Sequence, residues 1–89
     1  MKAIVTVIGK DRVGIIAAVC TKLAEYNVNV LDISQTVMQG YFTMMMVTEV
    51  SACNIPLSEL ATEMAKAGEA MELSIRVQRE DIFEAMHRI

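Results

Sequence analysis

Met71, Leu73, Ile75 and Val77 alternate with Glu72, Ser74, Arg76 and Gln78. A period of two commits this stretch to a strand with one apolar and one polar face, because successive side chains along a strand point to opposite sides. The segment before it has the other period. Leu57, Leu60, Ala61 and Met64 recur at helical spacing behind Pro56, a residue suited to a first helical position, and Gly68 is the expected stop. The same two periods occur near the start in reverse order. Residues 2–8 are dense in β-branched residues and read as a buried strand. Ile16, Val19, Cys20 and Leu23 then form one stripe of a helix over 13–26, with Lys22 and Glu25 off the stripe. Asn27 is its expected stop, since Asn tolerates the left-handed conformation.

Between these units, residues 28–38 read as a strand whose alternation slips near Leu31-Asp32, which a β-bulge would explain. Gln39-Gly40 is a short turn, and residues 41–50 return as a strand, so the pair forms a hairpin. Residues 79–89 read as a short helix with Ile82, Phe83, Met86 and Ile89 on one side. The order is βαββαβ with an added helix. Split βαβ units of this kind give an α+β, ferredoxin-like sandwich: a four-stranded antiparallel sheet with two helices on one face. The expected organisation is a βαββαβ domain over 1–78 and a C-terminal helical extension over 79–89.

A chain of 89 residues has room for one domain and a thin core. Yet 54% of its residues are hydrophobic and its mean hydropathy is +0.40. No apolar run approaches the roughly 18–20 residues of a membrane span. The opening stretch lacks a small-residue cleavage site and is interrupted by Gly9-Lys10-Asp11-Arg12, so it does not read as a signal peptide. Oligomerisation is the favoured account of the apolar excess. Strand one is apolar at Ala3, Ile4, Val5, Val7 and Ile8, and strand three at Met44, Met45, Met46 and Val47. A sheet with one wet face should alternate. Its second face is therefore expected to be covered by the C-terminal helix, by a second copy of the chain, or by a partner protein. The net charge is −3 and the eight basic residues are scattered, which argues against nucleic acid. Cys20 and Cys53 stand far apart with no secretory signal, so a disulfide framework is not expected and a cytoplasmic location is.

The turn at Gly9-Lys10-Asp11-Arg12-Val13-Gly14 is where a ligand would sit. A helix N-terminus placed after a strand presents unpaired N–H groups and a partial positive charge, and so receives carboxylates or phosphates. Asp11 could cap the helix or accept a ligand amine; Lys10 and Arg12 could pair with an acidic group. Taken by its spacing alone, the turn reads more simply as a loop, since Asp is a common N-cap and Gly a common turn residue. Nothing points to catalysis. His87 has no nearby Asp or Cys arranged with it, Cys20 lies on the inner stripe, and Cys53 has no basic neighbour. Ser58 and Thr62 have no paired base, and Glu59, Glu63, Glu69 and Glu72 read as a solvated face. No CxxC motif is present, and neither a metal nor a cofactor is expected.

Residues 8–19, Ile-Gly-Lys-Asp-Arg-Val-Gly-Ile-Ile-Ala-Ala-Val, followed by Leu23-Ala24-Glu25-Tyr26-Asn27-Val28-Asn29-Val30-Leu31-Asp32-Ile33, resemble the opening of an ACT domain, with Val13 in place of the usual proline. The resemblance continues more weakly to about Gln78, and the tail is similar to that of small stand-alone members. It implies a homodimer that binds an amino acid or related metabolite between this turn and the partner's second strand. By that resemblance Asp11, Arg12, Val13, Gly14 and Ile15 line the near side, and Asn27, Asn29, Leu31 and Asp32 are candidates for the other. With no second domain in the chain, the regulated protein would be an unidentified partner acted on in trans. Two other readings compete: a structural protein-interaction domain without a ligand, and an acylphosphatase-like hydrolase. The latter is disfavoured because that chemistry needs an Arg inside the first helix, and this helix has none.

Overall fold

The computed structural model describes residues 1–86; the position of His87 and the apolar role expected of Ile89 lie outside them. The elements run β1 (Lys2–Lys10), α1 (Ile15–Glu25), β2 (Asn29–Met38), β3 (Tyr41–Glu49), α2 (Leu57–Ala70), β4 (Leu73–Arg79) and α3 (Glu80–Met86). The four strands form one antiparallel sheet in the order β2-β3-β1-β4, as the expected ferredoxin-like arrangement requires. β2 and β4 are its edges.

Each helix is explained by its apolar stripe. α1 buries Ile15, Val19 and Leu23, and α2 buries Leu60 and Met64. Both stripes join Val5 and Val7 of β1, Phe42, Met44 and Met46 of β3, and Leu73 and Ile75 of β4 in one core. Each fully buried aliphatic side chain there contributes about 1.5–3 kcal/mol relative to exposure. The single buried polar side chain among the described residues is Thr48, whose hydroxyl donates to the Ala3 carbonyl at 2.8 Å, so its burial carries no unpaired polar atom.

Several boundaries differ from the sequence reading. Gly9 and Lys10 belong to β1 rather than to the turn, because they pair with Phe42 and Tyr41 of β3. Gly68 does not stop α2, which runs on to Ala70. Gly68 is buried inside the helix, and a Cβ there would lie 2.7 Å from the Leu73 carbonyl oxygen. It serves close packing of α2 on β4. β3 alternates strictly, with Phe42, Met44, Met46 and Thr48 inward and Tyr41, Thr43 and Met45 outward. The methionine run reads as apolar on both faces because Met suits either environment.

Asn27 ends α1 as expected. Its φ is +61°, its N–H donates to the Ala24 carbonyl at 3.0 Å, and the Val28 N–H reaches back to Leu23 at 3.1 Å. This is the paired closure of a left-handed helix stop. The expected irregularity in β2 is also present, as a register shift between Val30 and Asp32 opposite Thr48 and Val47. On the sheet face away from α1 and α2, α3 contacts β1 and β4 and covers part of the surface, so Ile4 is buried among its buried neighbours Ala3 and Val5. Ile8 and Met45 on that face stay exposed.

Candidate functional site

The first turn, Asp11–Gly14, is anchored at both ends. The Asp11 N–H donates to the Gly40 carbonyl at 2.9 Å, fixing the turn to the tip of the β2–β3 hairpin. Gly14 is the N-cap of α1 at φ +90°, a conformation that glycine takes without strain. The Ala18 N–H closes the first helical bond on the Gly14 carbonyl at 2.9 Å. The N–H groups of Ile15, Ile16 and Ala17 therefore precede the helix's own hydrogen-bond ladder. No side chain caps them and no acidic residue lies in the first turn. Asp11 thus does not cap α1, one of the two roles its position allowed, because the left-handed Gly14 occupies the cap.

These groups open into a cleft of about 420 Å³. One wall is Asp11, Arg12, Gly14 and the first turn of α1; the other is Gln35, Thr36 and Val37 of β2, with Phe42 at the base. That size lies in the usual range for small-molecule sites, about 300–1,000 Å³. The cleft joins hydrogen-bond donors and one cation to an acidic side chain and an apolar floor. Such a set can hold a small molecule bearing a carboxylate and an amine.

Of the expected near-side residues, Asp11, Arg12, Gly14 and Ile15 line the cleft. Val13 does not: it is wholly exposed at the apex of the turn. The expected far-side residues lie at the other end of the same chain's sheet. Asn29 pairs with Glu49, whereas Phe42, beside the cleft, pairs with Gly9. At about 3.4 Å per residue, the seven steps from Phe42 to Glu49 span roughly 24 Å. Within one chain, Asn27, Asn29, Leu31 and Asp32 therefore do not meet the turn. The Asn27 side chain is held by the Ala52 carbonyl at 2.9 Å, and an Asp32 oxygen accepts the Ile33 N–H at 2.9 Å.

Ile16, Ala17, Gln35, Thr36, Val37 and Phe42 were missed by sequence reasoning. The signal that could have found most of them is the hairpin. Once Gln39-Gly40 is placed as the turn, counting back along β2 sets Gln35–Val37 level with the end of β1, across β3, where the turn begins.

With this geometry in place, comparison with known proteins identifies the chain's kinship. The family model described as the ACT domain matches residues 2–78. The chain belongs to the ACT domain family. This ACT domain is 52% identical to a UPF0237 protein of Listeria innocua over 89 residues, the whole of both chains. It superposes on an ACT domain protein from Streptococcus pneumoniae with a TM-score of 0.83 at 46% identity, covering 98% of each chain. The regulatory subunit of aspartate kinase from Thermus thermophilus matches with a TM-score of 0.57 at 25% identity, over 86% of this chain and 50% of that one. ACT domains are regulatory modules that bind small-molecule ligands and commonly dimerise. Among the described residues, no helix of this ACT domain is long and apolar enough to cross a membrane.

Proposed function

We propose that this chain is a stand-alone regulatory module without catalytic activity, which binds an amino acid or related metabolite at a site completed by a second copy of itself and acts on another protein in trans. The observation that carries the reading is that the cleft is walled on one side by the terminal residues of an open sheet edge. β2 is exposed along its length, except that Val30 is half-buried, and it contains neither Lys, Arg nor Pro. Those are the residues by which exposed edges ordinarily resist pairing. Antiparallel pairing of β2 with its copy about Ser34, near the middle of the strand, sets Ser34 opposite its own copy and Asp32 opposite Thr36. That pairing brings the strand segment that holds Asn29, Leu31 and Asp32 of the partner subunit alongside the sheet edge where Gln35–Val37 line the cleft. It resolves the separation of the two candidate groups within one chain.

In such a site the free N–H groups of α1 and Arg12 receive the ligand carboxylate. Asp11 receives the ammonium group. Ile16, Val37 and Phe42 take the side chain. Because both copies build each site, ligand favours one dimer arrangement by its differential affinity, and that arrangement is the signal.

A thermal-shift screen of the amino acids, run beside sedimentation analysis, tests this. A ligand at ten times its Kd adds about 1.4 kcal/mol, an increase of several degrees in a domain of this size. A folded dimer that no amino acid stabilises at millimolar concentration would overturn the reading. A second reading, a docking module with no ligand, is favoured by one observation: Val13, Val37, Met38 and Tyr41 are all exposed around the cleft. Asp11→Ala combined with Arg12→Ala separates the two. The ligand response is lost on the first reading, and partner capture is unaffected on the second.

A further inference from the structure

The opposite face of the sheet carries a second concavity with different chemistry. Arg76 of β4 stands directly across from Thr6 of β1, and Thr6 stands across from Met45 of β3. The next row places Ser74 across from Ile8. Thr6, Ile8, Met45, Ser74, Arg76, Gln78 and, from α3, Phe83 enclose about 390 Å³. The groove is divided. Hydroxyls and a guanidinium occupy one side, and Ile8, Met45 and Phe83 form the other. None of the described residues lining it is acidic. The ion pairs among the described residues join Met1 to Glu49, Lys22 to Glu25, Lys66 to Glu63 and Arg79 to Asp81, leaving Arg76 out of all of them. Its guanidinium presents a planar fork of donors matched to a carboxylate.

We propose that this groove is a separate ligand site for a small monocarboxylate with an apolar body and no ammonium group. The carboxylate sits on Arg76 with the Ser74 and Thr6 hydroxyls donating beside it, and the body lies on Ile8 and Met45 against Phe83. The lack of an acidic side chain among the described lining residues disfavours a zwitterion, since a ligand ammonium would lose water with no anion to meet. The apolar half disfavours a multiply charged phosphate for the same reason. The site lies on the far side of the sheet from the cleft at Asp11–Ala17 and does not depend on the proposal made for that cleft.

Titration of the amide-labelled protein, followed by two-dimensional NMR, tests the proposal with isocaproate, leucine and isohexanol as probes. These share a branched apolar body and differ in the polar end. Isocaproate is expected to shift the amides of Thr6, Ile8, Ser74 and Arg76 saturably, with leucine and isohexanol binding there at least about tenfold more weakly. Arg76 is exposed, so Arg76→Met is expected to keep the native spectrum while weakening isocaproate by about tenfold or more. Arg76→Lys, retaining a point charge, is expected to weaken it less. Absence of saturable shifts in the groove, or equal binding by Arg76→Met, would overturn the site. Isocaproate shifts confined to Asp11–Ala17 would also overturn it while leaving the first cleft's reading intact. Leucine shifts confined there, with isocaproate in the groove, support both.

Discussion

The Asp11 N–H and the Gly40 carbonyl, 2.9 Å apart, tie two turns distant in sequence into one rigid corner. Through that bond the hairpin tip positions Asp11, the residue that begins the cleft. Gln39 and Gly40 have φ of +50° and +82°, the positive pair that a tight primed hairpin turn requires. The local twist of the hairpin therefore reaches the mouth of α1.

Gly40→Ala checks this linkage. A Cβ at Gly40 meets nothing within 4 Å, so the substitution acts through backbone strain alone. We expect about 1–2 kcal/mol of destabilisation in urea unfolding. We also expect faster hydrogen exchange at the Asp11 amide than the global loss of stability accounts for. Exchange at Asp11 that rises no more than at core amides would show the two turns to be independent.

Gly68→Ala tests the close approach of α2 to β4. In an open helix interior, Ala for Gly would be favourable by about 1 kcal/mol. Here the new Cβ would lie 2.7 Å from the Leu73 carbonyl oxygen and 2.9 Å from the Ile75 Cγ1. Backbone cannot yield as a side-chain tip can, so we expect net destabilisation of about 1–3 kcal/mol in chemical denaturation. A gain in stability would mean that the helix can slide on the sheet.

The reason sequence reading placed a helix stop at Gly68 is instructive. Both uses of glycine, at a stop and at a contact, leave the same letter at the same point in the pattern. Periodicity made the element order and the antiparallel sheet legible, because each element's apolar stripe answers to a single core. It also located the slip at Leu31-Asp32. What it could not supply was register between elements distant in sequence. Whether Asp32 or Gln35 stands beside Asp11 depends on how far β2 runs past β1, and that is set by pairing with β3 rather than by any local signal. The near side of the cleft was thus legible from one contiguous motif, and the far side was not.

Glu49 gives a pH signature independent of ligand. Its carboxylate accepts hydrogen bonds from the Ser51 hydroxyl and from the Met1 ammonium, the latter at 2.9 Å. The Ser51 bond is the main reason its pKa lies below the ordinary carboxylate value, with the ammonium next. A carboxylate depressed in the folded state contributes stability that is present above its unfolded pKa, about 4.3, and is lost as pH falls through the folded value. Ser51→Ala removes part of that contribution. The wild type is expected to exceed the variant in Tm at pH 7 and to converge on it as the pH falls below about 4. A Tm difference constant across that range would exclude this carboxylate as the cause.

Ser34→Lys addresses the proposed completion of the cleft most directly. Ser34 lies at the middle of β2, is exposed, and pairs only with Met45 on the β3 side. In an antiparallel pairing of two β2 strands about their midpoint, residue 34 of each copy falls near the two-fold axis. Lysine there brings two ammonium groups together, and like charges across paired strands oppose association. In the monomer the same side chain projects into water. We therefore expect sedimentation to show a shift from dimer to monomer with little change in far-ultraviolet circular dichroism. The amino-acid response at the cleft should fall with it, although no residue lining the cleft has been altered. Retention of the dimer would place the interface elsewhere on the molecule. A monomer that still binds its amino acid would show that the cleft at Asp11–Ala17 is complete within one chain.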